Sequence, residues 1–187
     1  MTRVWFILLA ALATSGILTY RMSSLHVYAA AEKKIPLKGT VKPDTGRGRD
    51  QIFEVKYNAQ DGKEIKEVRL LISPFRDGRN ACYVYYQPSQ KAFLLINDEG
   101  DSSEKLPIDG GSSIENRRCR RNAKGSSVSG SGANLTVKFS LAFTPLFDGD
   151  KHLYLYAEDK SGNLTDLQQS GDWKVQAKAS FLRSTAN

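Results

Sequence analysis

Residue types that support catalysis or metal binding are scarce in this chain. Its 187 residues include two histidines, His26 and His152, two cysteines and two tryptophans. No spacing matches a nucleophile motif, a metal-ligand cluster or a glycine-rich phosphate loop. We therefore expect no enzyme, no cofactor and no metal site. A pair of glycosidase carboxylates stays open, because their geometry is set by the tertiary structure.

Helical periodicity is also missing after residue 31. Apolar and polar residues alternate instead, most cleanly from Leu135 to Phe143, and a period of two is typical of a half-buried strand. Segments of this kind are separated by turns rich in Gly, Asp and Pro, as in β-sandwiches and barrels. The pattern predicts an all-β fold.

A basic start and an apolar run occupy the N-terminus. Arg3 precedes an uncharged segment over residues 4–20, Arg21 follows it, and small residues stand at Ala29 to Ala31. This order predicts a secretory signal peptide over residues 1–31. An uncleaved anchor is the alternative, since the run is at the short limit for crossing a bilayer. We expect a secreted or cell-envelope protein that meets the membrane only through an uncleaved leader.

The remaining chain divides into three parts. Residues 32–50 are predicted to be a linker and a first edge strand, because their prolines restrict a strand to a sheet edge. Residues 51–178 carry the alternating segments, and residues 179–187 are predicted to be a disordered tail. Within these parts, residues 44–48 are interpreted as a loop and the Ser/Gly-rich residues 125–132 as a turn region.

The densest run of strand-forming residues lies over residues 81–86 and is followed by a second run over 91–96. Pro88 between them suits a turn, so the two runs predict a β-hairpin. Cys82 lies in the first run, and Cys119 is its only possible intramolecular partner in an exported chain. Closing that loop would stabilise the fold by about 4 kcal/mol.

Basic residues crowd around Cys119 in a chain with a net charge of +7. They predict either a patch for an acidic surface or a solvated edge strand that positive charge protects against edge-to-edge pairing. No aromatic residue interleaves them, so we expect no nucleic acid partner. The residues are Arg117, Arg118, Arg120, Arg121 and Lys124.

Four tyrosines lie at alternate positions of two predicted strands, Tyr83 and Tyr85 on one, Tyr154 and Tyr156 on the other. If the two strands were neighbours, the rings could form a flat platform for a carbohydrate. The alternative is that the rings form cross-strand pairs that stabilise the sheet.

The segment Leu153-Tyr154-Leu155-Tyr156-Ala157-Glu158-Asp159-Lys160-Ser161-Gly162-Asn163 resembles the last hairpin of bacterial immunoglobulin-like and fibronectin type III-like modules. Asp159 and Asn163 are expected to hydrogen-bond the turn backbone, and Gly162 to take a positive φ. The chain also resembles a domain recurrent in exported proteins of acidobacteria in the order of five segments: residues 81–86, Cys119, residues 128–132, residues 153–157 and residues 171–175.

This resemblance implies an immunoglobulin-like antiparallel β-sandwich without transferable catalytic residues. It implies a role in surface interaction, adhesion or envelope architecture, with an extracellular protein or polysaccharide as partner. A carbohydrate-binding module that uses the outward tyrosines is the alternative function.

Overall fold

The computed structural model describes residues 37–59 and 64–177. These residues form strands connected by loops and by two single-turn 3-10 helices at Pro88–Gln90 and Pro145–Phe147. The strands are β1 (Leu37–Lys42), β2 (Thr45–Gly48), β3 (Asp50–Ala59), β4 (Ile65–Ser73), β5 (Cys82–Gln87), β6 (Ala92–Ile96), β7 (Ser103–Pro107), β8 (Ser113–Glu115), β9 (Cys119–Ser131), β10 (Asn134–Phe143), β11 (Gly149–Asp159) and β12 (Gln168–Val175). The predicted signal peptide over 1–31 and the predicted tail over 179–187 lie outside the described residues.

The strands form two sheets that pack face to face as a β-sandwich. The five-stranded sheet has the order β1-β3-β10-β9-β8, and the seven-stranded sheet has the order β2-β12-β11-β4-β5-β6-β7. Neighbouring strands are antiparallel, except that β2 runs parallel to β12. The predicted all-β fold is confirmed.

The core lies between the two sheets and follows the alternation seen in the sequence. On β10, every second residue from Leu135 to Phe143 is buried. Phe139 meets Phe93 of the other sheet in a T-shaped contact with 5.7 Å between ring centroids, a geometry that aromatic pairs prefer. Each large apolar side chain buried in this way stabilises the fold by about 1.5–3 kcal/mol.

The central hairpin and the disulfide are both present. Strands β5 and β6 pair across the 3-10 turn, which Lys91 ends with a left-handed φ of 45°. Cys82 at the start of β5 is bonded to Cys119 at the start of β9, with 5.5 Å between their Cα atoms. Because these strands belong to different sheets, the disulfide ties the two layers of the sandwich together.

Two segments differ from the sequence prediction. Residues 45–48 form β2, which pairs with β12. The ring of Trp173 lies directly against the backbone of Gly46, where a Cβ would be 2.4 Å from the indole. The Ser/Gly-rich residues 125–131 belong to the long strand β9. The register of β9 against β10 shifts at residues 123–126, which form a bulge, and there Ser126 Oγ accepts a hydrogen bond from the N–H of Ser140.

Candidate functional site on the outer face of the seven-stranded sheet

The two strands that carry the tyrosines are not neighbours, because β4 lies between β5 and β11. Arg69 on β4 is the cross-strand neighbour of Tyr156 on β11 and of Tyr85 on β5. In the next row, Leu71 separates Tyr154 from Tyr83. Strand β4 therefore inserts a cation and an aliphatic side chain between the rings.

The four tyrosines do not form the exposed platform considered from the sequence. Tyr154 is 4% exposed and Tyr85 is 8% exposed, whereas Tyr83 and Tyr156 are half-buried. Tyr154 packs with Leu71 and Ala81 in a small apolar cluster on this outer face, and the guanidinium carbon of Arg76 lies 5.8 Å from its ring centroid. The loop after β4 supplies both Ala81 and Arg76 and so covers one end of the face.

Arg69 and its partners form what we call the Arg69 cluster, which consists of Arg69, Glu67, Tyr83, Tyr85 and Tyr156. The Nε–H of Arg69 donates to Glu67 Oε1 at 2.6 Å, and Nη1 donates to the Tyr83 hydroxyl at 3.2 Å. The guanidinium carbon lies 4.9 Å from the ring centroid of Tyr156, 5.1 Å from that of Tyr85 and 5.9 Å from that of Tyr83. These distances are within the range of cation–π attraction.

The Arg69 cluster is electrically balanced. Burial opposes the charge of Arg69, but the hydrogen bond that Arg69 donates to Tyr83 and the carboxylate of Glu67 outweigh it and raise the pKa of Arg69. The second carboxylate oxygen of Glu67 accepts a hydrogen bond from Gln87 Nε2 at 2.9 Å. Because Arg69 and Glu67 neutralise each other, the cluster has no need of an anionic ligand.

Tyr57 of the five-stranded sheet holds the backbone behind the Arg69 cluster. Its hydroxyl lies 2.9 Å from the carbonyl oxygens of both Arg69 and Tyr156. Burial raises the pKa of Tyr57, so its hydroxyl is protonated and can donate. The spacing between β4 and β11 is thereby fixed from the core side at the point where the cluster lies.

No protein-family model matches this chain, and no curated protein matches it. What the face can do has to follow from its own residues.

The five basic residues around Cys119 do not form one patch. Arg120 faces solvent and pairs with Glu115 at 2.7 Å, while Arg121 is 1% exposed and its guanidinium carbon lies 3.7 Å from the Phe93 ring centroid. Successive side chains of a strand point to opposite faces, so β9 separates these two arginines. Of the others, Arg117 and Lys124 are exposed and Arg118 is half-buried.

Arg118 connects loops at one end of the sandwich. Its Nε lies 3.6 Å from Asp98 Oδ1, and its Nη atoms donate to Asn80 Oδ1 and to the carbonyl oxygen of Leu146. These three residues belong to three different connections between strands, so Arg118 holds those connections together.

His152 has neighbours that the sequence did not reveal. Its Nδ1 lies 2.6 Å from Asp172 Oδ1, and Gln169 Nε2 contacts both side chains. Ser73 is its cross-strand neighbour on β4, but the Ser73 hydroxyl accepts the N–H of Phe75 at 3.3 Å. These polar side chains connect β11 to β12 on the sheet that carries the Arg69 cluster.

The turn after β11 is held by its acidic residue. Asp159 Oδ1 accepts the backbone N–H groups of Ser161 and Asn163 at 2.8 and 2.9 Å, and Oδ2 accepts the Asn163 side-chain amide. Gly162 has a φ of 82°. These residues of the resemblance motif thus form a structural turn.

Proposed function

We propose that this chain is an exported, non-catalytic, immunoglobulin-like module for surface interaction, adhesion or envelope architecture. Its binding surface is the outer face of the seven-stranded sheet, and the Arg69 cluster is the centre of that surface. The observation that carries the proposal is the cluster itself, in which a guanidinium and three tyrosine rings lie together on an outer sheet face. Arg and Tyr are the side chains most enriched among residues that dominate binding energy at protein interfaces.

The strand order supports the immunoglobulin-like part of the proposal. In a variable-type immunoglobulin domain, one sheet has the order A-B-E-D and the other extends G-F-C with C′ and C″. Here β1-β3-β10-β9 and β12-β11-β4-β5-β6 run in the corresponding orders. The disulfide departs from that pattern, because it joins β5 to β9 and antibody domains link strands B and F.

The disulfide also supports export. Disulfides persist in oxidising compartments and are rare in the cytosol, and the predicted leader over residues 1–31 points the same way. The resemblance to modules of acidobacterial exported proteins is consistent with a role outside the cell.

The balance of charge indicates what kind of partner fits. Aromatic rings around a neutralised guanidinium contribute most to the free energy of binding when a protein surface of matching shape excludes water from them. Screening by salt weakens exposed charge pairs far more than buried ones. We therefore expect a protein partner whose binding depends little on salt.

Carbohydrate binding remains the second candidate, on a smaller set of residues. Tyr83 and Tyr156 are the half-buried rings of the original four, and Arg69 lies between them with its side chain 29% exposed. Tyrosine rings next to a planar donor group can stack on a sugar and hydrogen-bond its hydroxyls.

A retention assay tests both candidates. The protein expressed from the complete chain is incubated with bacterial envelopes, with protease-treated envelopes and with insoluble polysaccharides, at low and high salt. The variant Tyr156→Ala probes the Arg69 cluster, and Thr136→Ala on the outer face of the five-stranded sheet is the matched control. Unfolding temperatures of both variants are measured first, so that loss of retention is compared only between folded proteins.

The outcomes separate the candidates. Salt-resistant retention that is lost after protease treatment of the envelopes, and lost in Tyr156→Ala but not in Thr136→Ala, supports a protein-binding face. Retention on a neutral polysaccharide with the same variant pattern supports the carbohydrate alternative. Absence of retention, or retention that Tyr156→Ala leaves unchanged, contradicts the assignment of this face.

A further inference from the structure

A second surface lies at the end of the sandwich, where β9 and β10 meet the connections of the other sheet. A cleft of about 490 Å³ opens there between the layers, within the size range of ligand pockets. Its apolar walls come from both sheets and include Ile65, Tyr86, Ile108, Val128 and Leu135. Ile108 and Val128 are half-buried residues that pack against the edge of the core.

The edge of the five-stranded sheet beside this cleft has no partner strand among those described. Strand β8 pairs only with residues 120–122 of β9, and the last hydrogen bond on that side joins Ala123 N–H to the Ser112 carbonyl at 2.8 Å. Beyond this point β9 continues to Ser131 and is paired on one side only, with β10. Among the described residues, no strand therefore occupies the position beside β9 that continues the line of β8 and adjoins the cleft.

The open edge is short. Gly125 and Gly130 have φ values of 87° and 85°, so the extended stretch between them consists of residues 126–129. Such a stretch offers few backbone hydrogen bonds, and a strand added there would bind weakly without a side-chain anchor. The cleft supplies that anchor, because Val128 both belongs to the open edge and lines the cleft.

The rim of the cleft adds a charge preference. Among the described residues, the charged side chains that line it are Glu64, Lys91 and Lys160. Glu64 and Lys160 form an ion pair, which leaves Lys91 as the cation at the described part of the rim. Lys91 is exposed, and its backbone carbonyl accepts the N–H of Ile108 at 2.8 Å, so its position relative to the cleft is fixed.

We infer that the cleft binds an extended peptide segment of another protein. The segment adds as a strand to residues 126–129 of β9 and inserts one apolar side chain between Val128 and Ile108. An acidic residue of the segment meets Lys91. An added strand lies in the plane of the sheet, so every second side chain of it projects toward the opposite sheet, as Val128 does. Because Val128 lines the cleft, these side chains point into the cleft.

A peptide-display experiment tests this inference. Random nonapeptides are selected on the protein expressed from the complete chain, and the affinities of enriched peptides are then measured by titration. Val128→Trp fills the cleft, and Ser127→Trp places the same side chain on the opposite face of the strand as a matched control. Lys91→Glu reverses the charge at the rim. Lys56→Glu on β3, which does not line the cleft, is its control.

We expect enriched peptides to combine an apolar anchor with an acidic residue. Val128→Trp should weaken them about tenfold or more, the equivalent of losing one buried apolar side chain, and Ser127→Trp should not. Lys91→Glu should weaken them and Lys56→Glu should not. A bound peptide should also slow amide hydrogen exchange in residues 126–129.

Failure to enrich any peptide, or enriched peptides that bind Val128→Trp as well as wild type, would overturn the inference. If Val128→Trp does not fold, the same peptides are titrated against Val128→Phe, and unchanged affinity for that variant would likewise overturn the inference. Tyr156→Ala should leave peptide binding unchanged, so this result is independent of the proposal for the outer face.

Discussion

Arg121 provides the sharpest energetic prediction, because a buried cation without an acidic partner should cost stability. It is 1% exposed, and no hydrogen-bond acceptor among the described residues reaches its Nε or Nη1. Burial lowers the pKa of Arg121 to about 10. A guanidinium whose pKa falls this far below its ordinary value costs about 3 kcal/mol of stability at neutral pH.

The ring of Phe93 offsets part of this cost. A desolvated cation–π contact contributes about 2 kcal/mol, and a methionine at this position would keep most of the packing of the aliphatic stem. Replacing a buried charge by an apolar residue of similar size is often neutral or stabilising. We therefore expect Arg121→Met to raise the free energy of unfolding by about 1 kcal/mol.

The pH dependence gives an independent check of the cause. The pKa of Arg121 is lower in the folded state than in the unfolded state, so the penalty is present in full at neutral pH. It declines as the pH rises past about 10, where the folded-state guanidinium begins to lose its proton. The advantage of Arg121→Met should accordingly shrink between pH 7 and pH 11 by about 1 kcal/mol.

Urea denaturation with the disulfide intact measures both effects, since the midpoint shift at constant slope reports stability. Arg120→Met is the matched control, because Arg120 is the exposed neighbour and its pair with Glu115 is solvent-accessible. Its change should stay within about 0.5 kcal/mol. Destabilisation of Arg121→Met by 1 kcal/mol or more at pH 7 would refute the reasoning and show that the cation stabilises the core.

Three further predictions concern single contacts. Cys82→Ser should lower the free energy of unfolding by up to about 4 kcal/mol, and an unchanged melting temperature would contradict a structural disulfide. Tyr57→Phe removes the hydroxyl that contacts the carbonyl oxygens of Arg69 and Tyr156 and should lower the free energy of unfolding in urea by about 1–3 kcal/mol, whereas Tyr86→Phe should lower it by less than about 0.5 kcal/mol. Hydrogen bonds from Arg79 lower the pKa of Asp77 to about 2. The pKa of Asp77 measured by NMR should therefore return toward 3.8 in Arg79→Met. A pKa that stays near 2 in this variant would contradict the cause given.

The alternation of apolar residues, by itself, determined the fold class. A period of two from Leu135 to Phe143 is compatible only with a strand that has one buried face, and β10 buries those residues. The pairing of Cys82 with Cys119 was also determined, because no third cysteine competes for it. Both conclusions rest on local pattern or on counting, and neither needs to know which strands are neighbours.

The sites depended on strand order, which the sequence does not contain. Nothing in the local pattern of β4 sets Arg69 and Glu67 apart from solvent-facing residues of a strand, yet insertion of β4 between β5 and β11 surrounds Arg69 with three tyrosine rings and buries Glu67. Arg121 looked like part of a basic patch, but the register of β9 against β10 turns it inward. The chain shows which side chains alternate along a strand, whereas cross-strand neighbours are decided by contacts between residues far apart in sequence.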